Sequence, residues 1–404
     1  MTARGSTRLP LAAIFLLFVV DAMGVGLMFP VMPDLIREVT GQSLSNAALW
    51  GGVMATSFAV MQFVCAPAIG ALSDRWGRRP ILLISLAVML ADYLILAVAG
   101  SIWLLLLLRL ISGVTAANYA VGNAYIADIT PPEKRAANFG LFGAGFGIGF
   151  VIGPILGGML AEYGTRAPFL AAAALTAANL AFVALVLPET VKNRRFALPR
   201  WAEINPLSAF TRLARLPGLR GLLVIVLTNE IAVVVYPAIW AYYTLEVFAW
   251  STTQIGVSLS LFGVCMAVVQ AGVIRLYLRA LGERGTLILG LVLNIAVFSV
   301  MTVTTSATLV MLLIPVSALG AVILPPVKAM MSRQIPDDMQ GELLGVVSST
   351  SSVGAIFGPL IATASFRAFT VPEAPLYLPG IPFGIAAALL TGSLVMVLTA
   401  RNMR

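Results

Sequence analysis

Apolar residues run along this chain in stretches of more than about 18 positions, each long enough to cross a hydrocarbon core about 30 Å thick. Inside lipid no water can satisfy a backbone N–H or C=O, so each stretch has to pair its own polar groups as a helix. The pattern predicts twelve such helices, near residues 8–32, 47–72, 80–99, 102–128, 138–160, 167–187, 218–244, 253–278, 285–304, 307–330, 341–366 and 376–400. We number them spans 1 to 12. The longest polar stretch lies near the middle and divides the chain into a six-helix bundle (1–188), a cytoplasmic linker (189–217) and a second six-helix bundle (218–404). The predicted fold class is all-α and polytopic, with twelve transmembrane helices in two bundles.

Composition removes the soluble alternatives. Hydrophobic residues fill 60% of the 404 positions and charged residues 10%, against roughly 25% charged in ordinary soluble domains. The formal charge of +8 would suit nucleic acid if it were clustered, but it follows the loops. With both termini placed inside, 21 of the 25 Lys and Arg lie on the cytoplasmic side, three (Arg37, Arg166, Arg367) lie outside, and Arg109 remains within span 4. Such a bias is a topology signal, and no nucleic-acid partner is implied. The apolar run of residues 1–30 continues past Asp21 to Met32 without a small-residue cleavage site, so it reads as a retained helix rather than a signal peptide. Cys65 and Cys265 fall within spans and the chain has no His, so neither a disulfide framework nor a zinc site is expected. No phosphate-binding loop of the Gly-x-x-x-x-Gly-Lys-Ser/Thr type occurs, and no nucleotide or other cofactor is implied.

The two halves also align with each other. At one gapless offset of 205 residues Gly77 maps to Gly282, Arg79 to Arg284, Pro131 to Pro336, Gly140 to Gly345, Gly149 to Gly354, Gly153 to Gly358 and Pro154 to Pro359. Two parallel six-helix repeats with a substrate site between them at mid-membrane form a transporter architecture.

Four groups of residues carry candidate chemistry. Between spans 2 and 3 the sequence Gly70-Ala-Leu-Ser-Asp74-Arg75-Trp-Gly77-Arg78-Arg79-Pro80 is a tight cytoplasmic turn, in which Gly77 permits unusual dihedrals and the arginines hold the inner interface. Asp74 is out of place in a positive-inside loop, and the dipole at the start of span 11 could receive its carboxylate. In span 5, Gly149-Phe-Val-Ile-Gly153-Pro154-Ile-Leu-Gly157-Gly158 supplies small residues for close helix approach and a proline that bends the helix. Arg109 in span 4 is the single deep cation, costing about 2.5–3.5 kcal/mol on insertion scales, so it needs a partner. Asp92 in span 3 lies at equal depth and could pair with it, as neutraliser or as part of a proton site. Asp21 lies halfway along span 1, where burial favours the neutral acid and a proton can be exchanged; without His, any relay must run through carboxylates. Glu230 in span 7 shares its helix with Asn229, Tyr236 and Trp240, a set suited to a cationic or zwitterionic amphiphile. Gln62, Asn118, Asn123, Gln270 and Asn294 are further polar candidates. Asp128 and Glu189 read as inner-interface charges.

These motifs resemble the drug/proton antiporters of the major facilitator superfamily, and among them most closely the tetracycline/proton antiporter group. The resemblance covers nearly the whole chain. It implies that spans 1, 4, 7 and 10 line the cavity, that the Asp74 loop latches the inner gate, and that the span 5 pattern is that of exporters. It also implies that Asp21 with Arg109 couples protons. The expected function is therefore proton-coupled efflux of a small amphipathic drug, tetracycline-like or multidrug, by a monomer in a bacterial inner membrane. The alternatives are a proton symporter importing a sugar, organic acid or other metabolite and, from another class, a membrane-embedded enzyme or receptor. Tetracycline antiporters carry an acid in span 9 where this chain has Asn294, so recognition of a metal–tetracycline chelate is not implied.

Overall fold

The computed structural model describes residues 8–116, 118–191, 219–336 and 339–399. Most of the expected linker and both termini therefore lie outside the described residues. Spans 1, 2 and 3 are Arg8–Met28, Leu44–Trp76 and Arg78–Leu96; span 4 is built from Ile102–Thr115 and Asn118–Ile129. Spans 5, 6 and 7 are Arg135–Ala161, Ala167–Val186 and Arg220–Phe248. Thr252–Val268 continues through the π-helical turn Val269–Val273 into Ile274–Val303, and this stretch of 52 residues holds spans 8 and 9. Span 10 is built from Ala307–Gly320 and Leu324–Ser332, span 11 is Gln340–Ala368 and span 12 is Ile381–Thr399.

Spans 8 and 9 separate at Gly282, whose φ of 67° is open to glycine and breaks the helical path. Its repeat partner Gly77, φ 112°, makes the corresponding break between spans 2 and 3. The arginines two residues on behave alike as well. Arg79 donates to the Ala184 carbonyl in the last turn of span 6 at 2.6 Å, and Arg284 donates to Val397 in the last turn of span 12 at 3.0 Å. Each places a cation on the negative end of a helix dipole while satisfying an orphan carbonyl.

One element was not expected. Met32–Thr40 is a separate amphipathic helix that buries Pro33, Leu35 and Ile36. The hydropathy pattern merges it with the tail of span 1, because nine residues are too short to register as an apolar run. Its Glu38 accepts from Arg166 at 2.9 Å, tying it to the start of span 6.

Contacts group the chain into two compact units: Met1–Thr40, Ser57–Pro206 and Thr252–Ser260 in one, and Gly41–Thr56, Leu207–Ser251 and Leu261–Arg404 in the other. The units follow the sequence halves except for the first turns of spans 2 and 8, and under the 205-residue offset positions 47–55 correspond to 252–260. In the first unit Ser260 Oγ donates to the Val151 carbonyl at 2.5 Å, and Gly256 lies against the Pro154 carbonyl. In the second unit Thr56 Oγ1 donates to the Ile356 carbonyl at 2.8 Å, and Gly51, the repeat partner of Gly256, lies against the Tyr242 hydroxyl.

The core of the first unit gathers Leu17, Phe18, Leu82, Tyr125 and Val183 from spans 1, 3, 4 and 6. That of the second is aromatic. Tyr236, Trp240, Tyr243, Phe298 and Phe383 pack ring on ring, with centroids from 5.0 to 6.4 Å apart.

Candidate functional site

The buried charges of the first unit sit on spans 1, 3 and 4. Arg109 Nη2 donates to Asp92 Oδ2 at 2.7 Å, with the Asp92 side chain 3% exposed. Their second atoms, Asp92 Oδ1 and Arg109 Nε, are buried without a hydrogen-bond partner among the described residues. The equal depth read from the sequence thus becomes a direct ion pair, with the Ser112 hydroxyl of span 4 also within reach of Asp92. Asp21 lies on a partly exposed stripe of span 1 with Val25 and Phe29, one helical turn apart. Among the described residues it makes no ion pair; the guanidinium of Arg109 goes to Asp92. Tyr93, which the sequence reading did not single out, lies within electrostatic reach of Asp21, Arg109 and Asp92, and its hydroxyl rests on the backbone of span 1 at Gly24.

Span 1 itself is seated on the glycine stripe of span 5. A Cβ at Gly153 would stand 2.6 Å from the Met23 carbonyl and 2.9 Å from Gly26, and Gly149 and Gly157 meet the span 1 backbone one turn to either side. Gly158 faces another way: Thr253 of span 8 donates to its carbonyl at 3.2 Å. Small residues here let the helix carrying Asp21 approach span 5 closely.

At the end of the bundle that carries the span 2–3 turn, the charges of that turn form one network within the first unit. Arg78 pairs with Asp74 at 2.5 Å and with Asp128 at 3.3 Å, and its Nη1 donates to Ser73 Oγ at 2.7 Å. Glu189 accepts from the backbone N–H of Arg78 at 3.0 Å, and Thr190 donates to Asp128 at 2.8 Å. The network ties spans 2, 3 and 4 to the segment after span 6. Asp74 is satisfied by Arg78 four residues on, a partner the helix-dipole argument had not considered. Gly70 has open space around it, and Arg75 lies beside Asp74 in the same turn.

The second unit carries a counterpart with its charges exchanged. At the 205-residue offset Arg78 becomes Glu283 and Asp128 becomes Arg333, and Arg333 and Glu283 form a salt bridge. An acid is therefore present in the second repeat, at the Arg78 position rather than at the Asp74 position.

The polar candidates divide. Glu230 is half-buried, accepts from Ser351 of span 11 at 3.1 Å, and rests on Gly354. Lys328, counted in the sequence among the loop charges, lies in the second segment of span 10 within electrostatic reach of Glu230. Gln62 and Asn123 are half-buried, Asn229 is buried, and the side chain of Asn118 lies outside the described residues.

Four further candidates each meet a protein partner. Asn294 is 4% exposed and donates to the Gly320 carbonyl at 2.9 Å, and Gln270 donates to Ala321 at 3.3 Å. Both satisfy carbonyls freed where span 10 breaks between its two segments, a requirement that a sequence pattern does not reveal. Tyr236 and Trp240 are 5% and 2% exposed within the aromatic core. The large rings fill helix interfaces there instead of standing beside Glu230.

Residues 14–274 and 221–401 match the sequence profile of the Major Facilitator Superfamily. The chain is 38% identical over 348 residues to the tetracycline resistance protein, class C, of Escherichia coli, covering 86% of this chain and 87% of that one. It is 26% identical over 345 residues to multidrug resistance protein 1 of Bacillus subtilis, covering 85% and 86%. Among solved structures it resembles the nucleoside transporter NupG with a TM-score of 0.77 at 12% identity, over 98% of this chain and 100% of that one, a likeness of fold. The chain belongs to the Major Facilitator Superfamily, in the group that contains the tetracycline resistance proteins.

Proposed function

We propose that this protein exports a small amphipathic drug, tetracycline-like or multidrug in range, in exchange for protons by alternating access. The observation that carries the reading is the set of ionisable groups around Tyr93: a partly exposed Asp21 on span 1 and a buried Arg109–Asp92 pair on spans 4 and 3. A carboxyl that can lose and regain a proton next to a fixed ion pair can couple proton binding to the packing of spans 1, 3 and 4. The relatives named as tetracycline and multidrug resistance proteins support drug as the cargo.

In this reading Asp21 carries the proton, and Arg109 with Asp92 senses its charge. Glu230, with Lys328 within electrostatic reach, contributes to drug recognition, as do the polar residues Gln62, Asn118 and Asn123 of the first half and Asn229 of span 7. The turn from Gly70 to Arg79, with Asp128, and the span 5 stripe from Gly149 to Gly158 serve gating. Asp74, 60% exposed at its side chain, exchanges Arg78 for the start of span 11 as a latch. The chain works as a monomer of two bundles joined by the 189–217 linker, in a bacterial cytoplasmic membrane with both termini inside. It performs no chemistry on its cargo and holds no cofactor.

The test is transport in everted membrane vesicles expressing the chain. Proton pumping into the vesicles should drive tetracycline or a lipophilic cation inward, and collapse of the gradient should release it. Accumulation of a sugar or organic acid driven by acidifying the outside of the vesicles would instead identify the symporter.

A further inference from the structure

We propose that Tyr93 is a positioning residue of the proton site, its hydroxyl linking Asp21 on span 1 to the Arg109–Asp92 pair on spans 3 and 4. The inference rests on the proposed proton coupling and deepens it.

Three observations carry it. The first is placement. The Tyr93 ring is 2% exposed, and its hydroxyl sits where a side chain at residue 24 would be, so close that only glycine leaves room. Gly24 follows Asp21 by three residues, which puts both on one face of span 1. The hydroxyl thus stands about one helical turn from the Asp21 position. The second is connection. Tyr93 directly follows Asp92 in span 3, and its surroundings include the charges of Asp21, Arg109 and Asp92 together. Arg109 Nε is buried there without a hydrogen-bond partner among the described residues, and Asp92 Oδ1 has only the Ser112 hydroxyl of span 4 within reach, so a further donor or a water can be accommodated.

The third observation is a control built into the chain. At the 205-residue offset Asp21, Asp92 and Arg109 correspond to Val226, Val297 and Ile314, and Tyr93 corresponds to Phe298. All four counterparts are buried, at 0%, 1%, 0% and 2% exposure. Gly24 corresponds to Asn229, which is 4% exposed, so the second repeat holds a side chain where the first holds a hydroxyl. Both repeats thus carry an aromatic ring at this position, and the hydroxyl is present only in the repeat that carries the charges.

The device needs no bond to form or break. When Asp21 is deprotonated, the Tyr93 hydroxyl donates to its carboxylate. When Asp21 gains a proton, the hydroxyl is released to a water between it and the ion pair, and the pair registers the change.

The experiment uses the full chain in everted vesicles with tetracycline as the probe, comparing the parent with Tyr93→Phe and Gly24→Ala. Gradient-driven accumulation should fall roughly tenfold in Tyr93→Phe, less than the roughly 10²–10⁴-fold contributed by a group that transfers the proton itself, with its pH profile displaced. Gradient-independent counterflow should stay within about twofold of the parent, a difference near 0.4 kcal/mol. Gly24→Ala should displace the same hydroxyl and give the same phenotype, and the double variant should be no worse than either single one. Parental accumulation and pH profile in Tyr93→Phe would overturn the proposal, as would equal loss of counterflow, which marks a structural role. A parent that carries tetracycline in neither assay would overturn the drug-export reading together with this one.

Discussion

Asp21, Glu230 and Asn294 are three polar side chains in apolar helices, and their surroundings separate their roles. Asn294 donates to a backbone carbonyl, whereas Asp21 has no ion-pair partner among the described residues and Glu230 holds one hydroxyl. Asp21→Asn should abolish gradient-driven efflux, by at least about tenfold on the scale of a lost proton-transfer group, while counterflow persists; vesicle transport assays check both. Glu230→Gln should weaken export of lipophilic cations and spare neutral compounds. Lys328→Met removes the competing positive charge and should shift the profile the other way; resistance profiles of the two variants in a drug-sensitive host read the difference. Equal loss for cations and neutral compounds would remove Glu230 from recognition. At this scale the sequence was legible for charge and depth: Arg109 needed a partner, and Asp92 was the acid at its level. It was not legible for Tyr93, Gln270 and Asn294, whose roles depend on which backbone atom of a distant span each side chain meets.

At the level of the helices, glycine placement decides which pairs come close. Gly153 meets the backbone of span 1, while Gly147 on the same helix has open space around it. Gly153→Ala should destabilise the protein by about 1–3 kcal/mol, the usual cost of overpacking, and Gly147→Ala should be neutral; thermal unfolding in detergent distinguishes them. The salt bridges related by the internal repeat offer a second test. Arg333 is 74% exposed at its side chain, so losing Glu283 should cost no more than about 1 kcal/mol. The exchange Glu283→Arg with Arg333→Asp, which copies the first repeat, should restore stability lost in either single change. A double variant less stable than both singles would show that the two repeats do not share this contact. Long apolar runs and the breaks at Gly77 and Gly282 made the twelve spans readable from sequence. The short helix Met32–Thr40 and the break in span 10 escaped, since neither interrupts the hydropathy for long enough.

For the molecule as a whole, the internal repeat is both preserved and broken. Turn glycines, the capping arginines and the stripes of spans 5 and 11 follow the 205-residue offset, so both halves use one packing scheme. The charged groups on spans 1, 3 and 4 do not follow it; their counterparts Val226, Val297 and Ile314 are apolar and buried. In the proposed function, proton coupling therefore belongs to the first half, and selectivity to Glu230 and Lys328 of the second. The most direct test is proton movement itself. Purified protein in proteoliposomes with an acidic interior and a trapped pH indicator should discharge the gradient when tetracycline or a lipophilic cation is added outside, and Asp21→Asn should abolish the response. A gradient left undisturbed by every such compound, or discharged equally well by Asp21→Asn, would contradict the account.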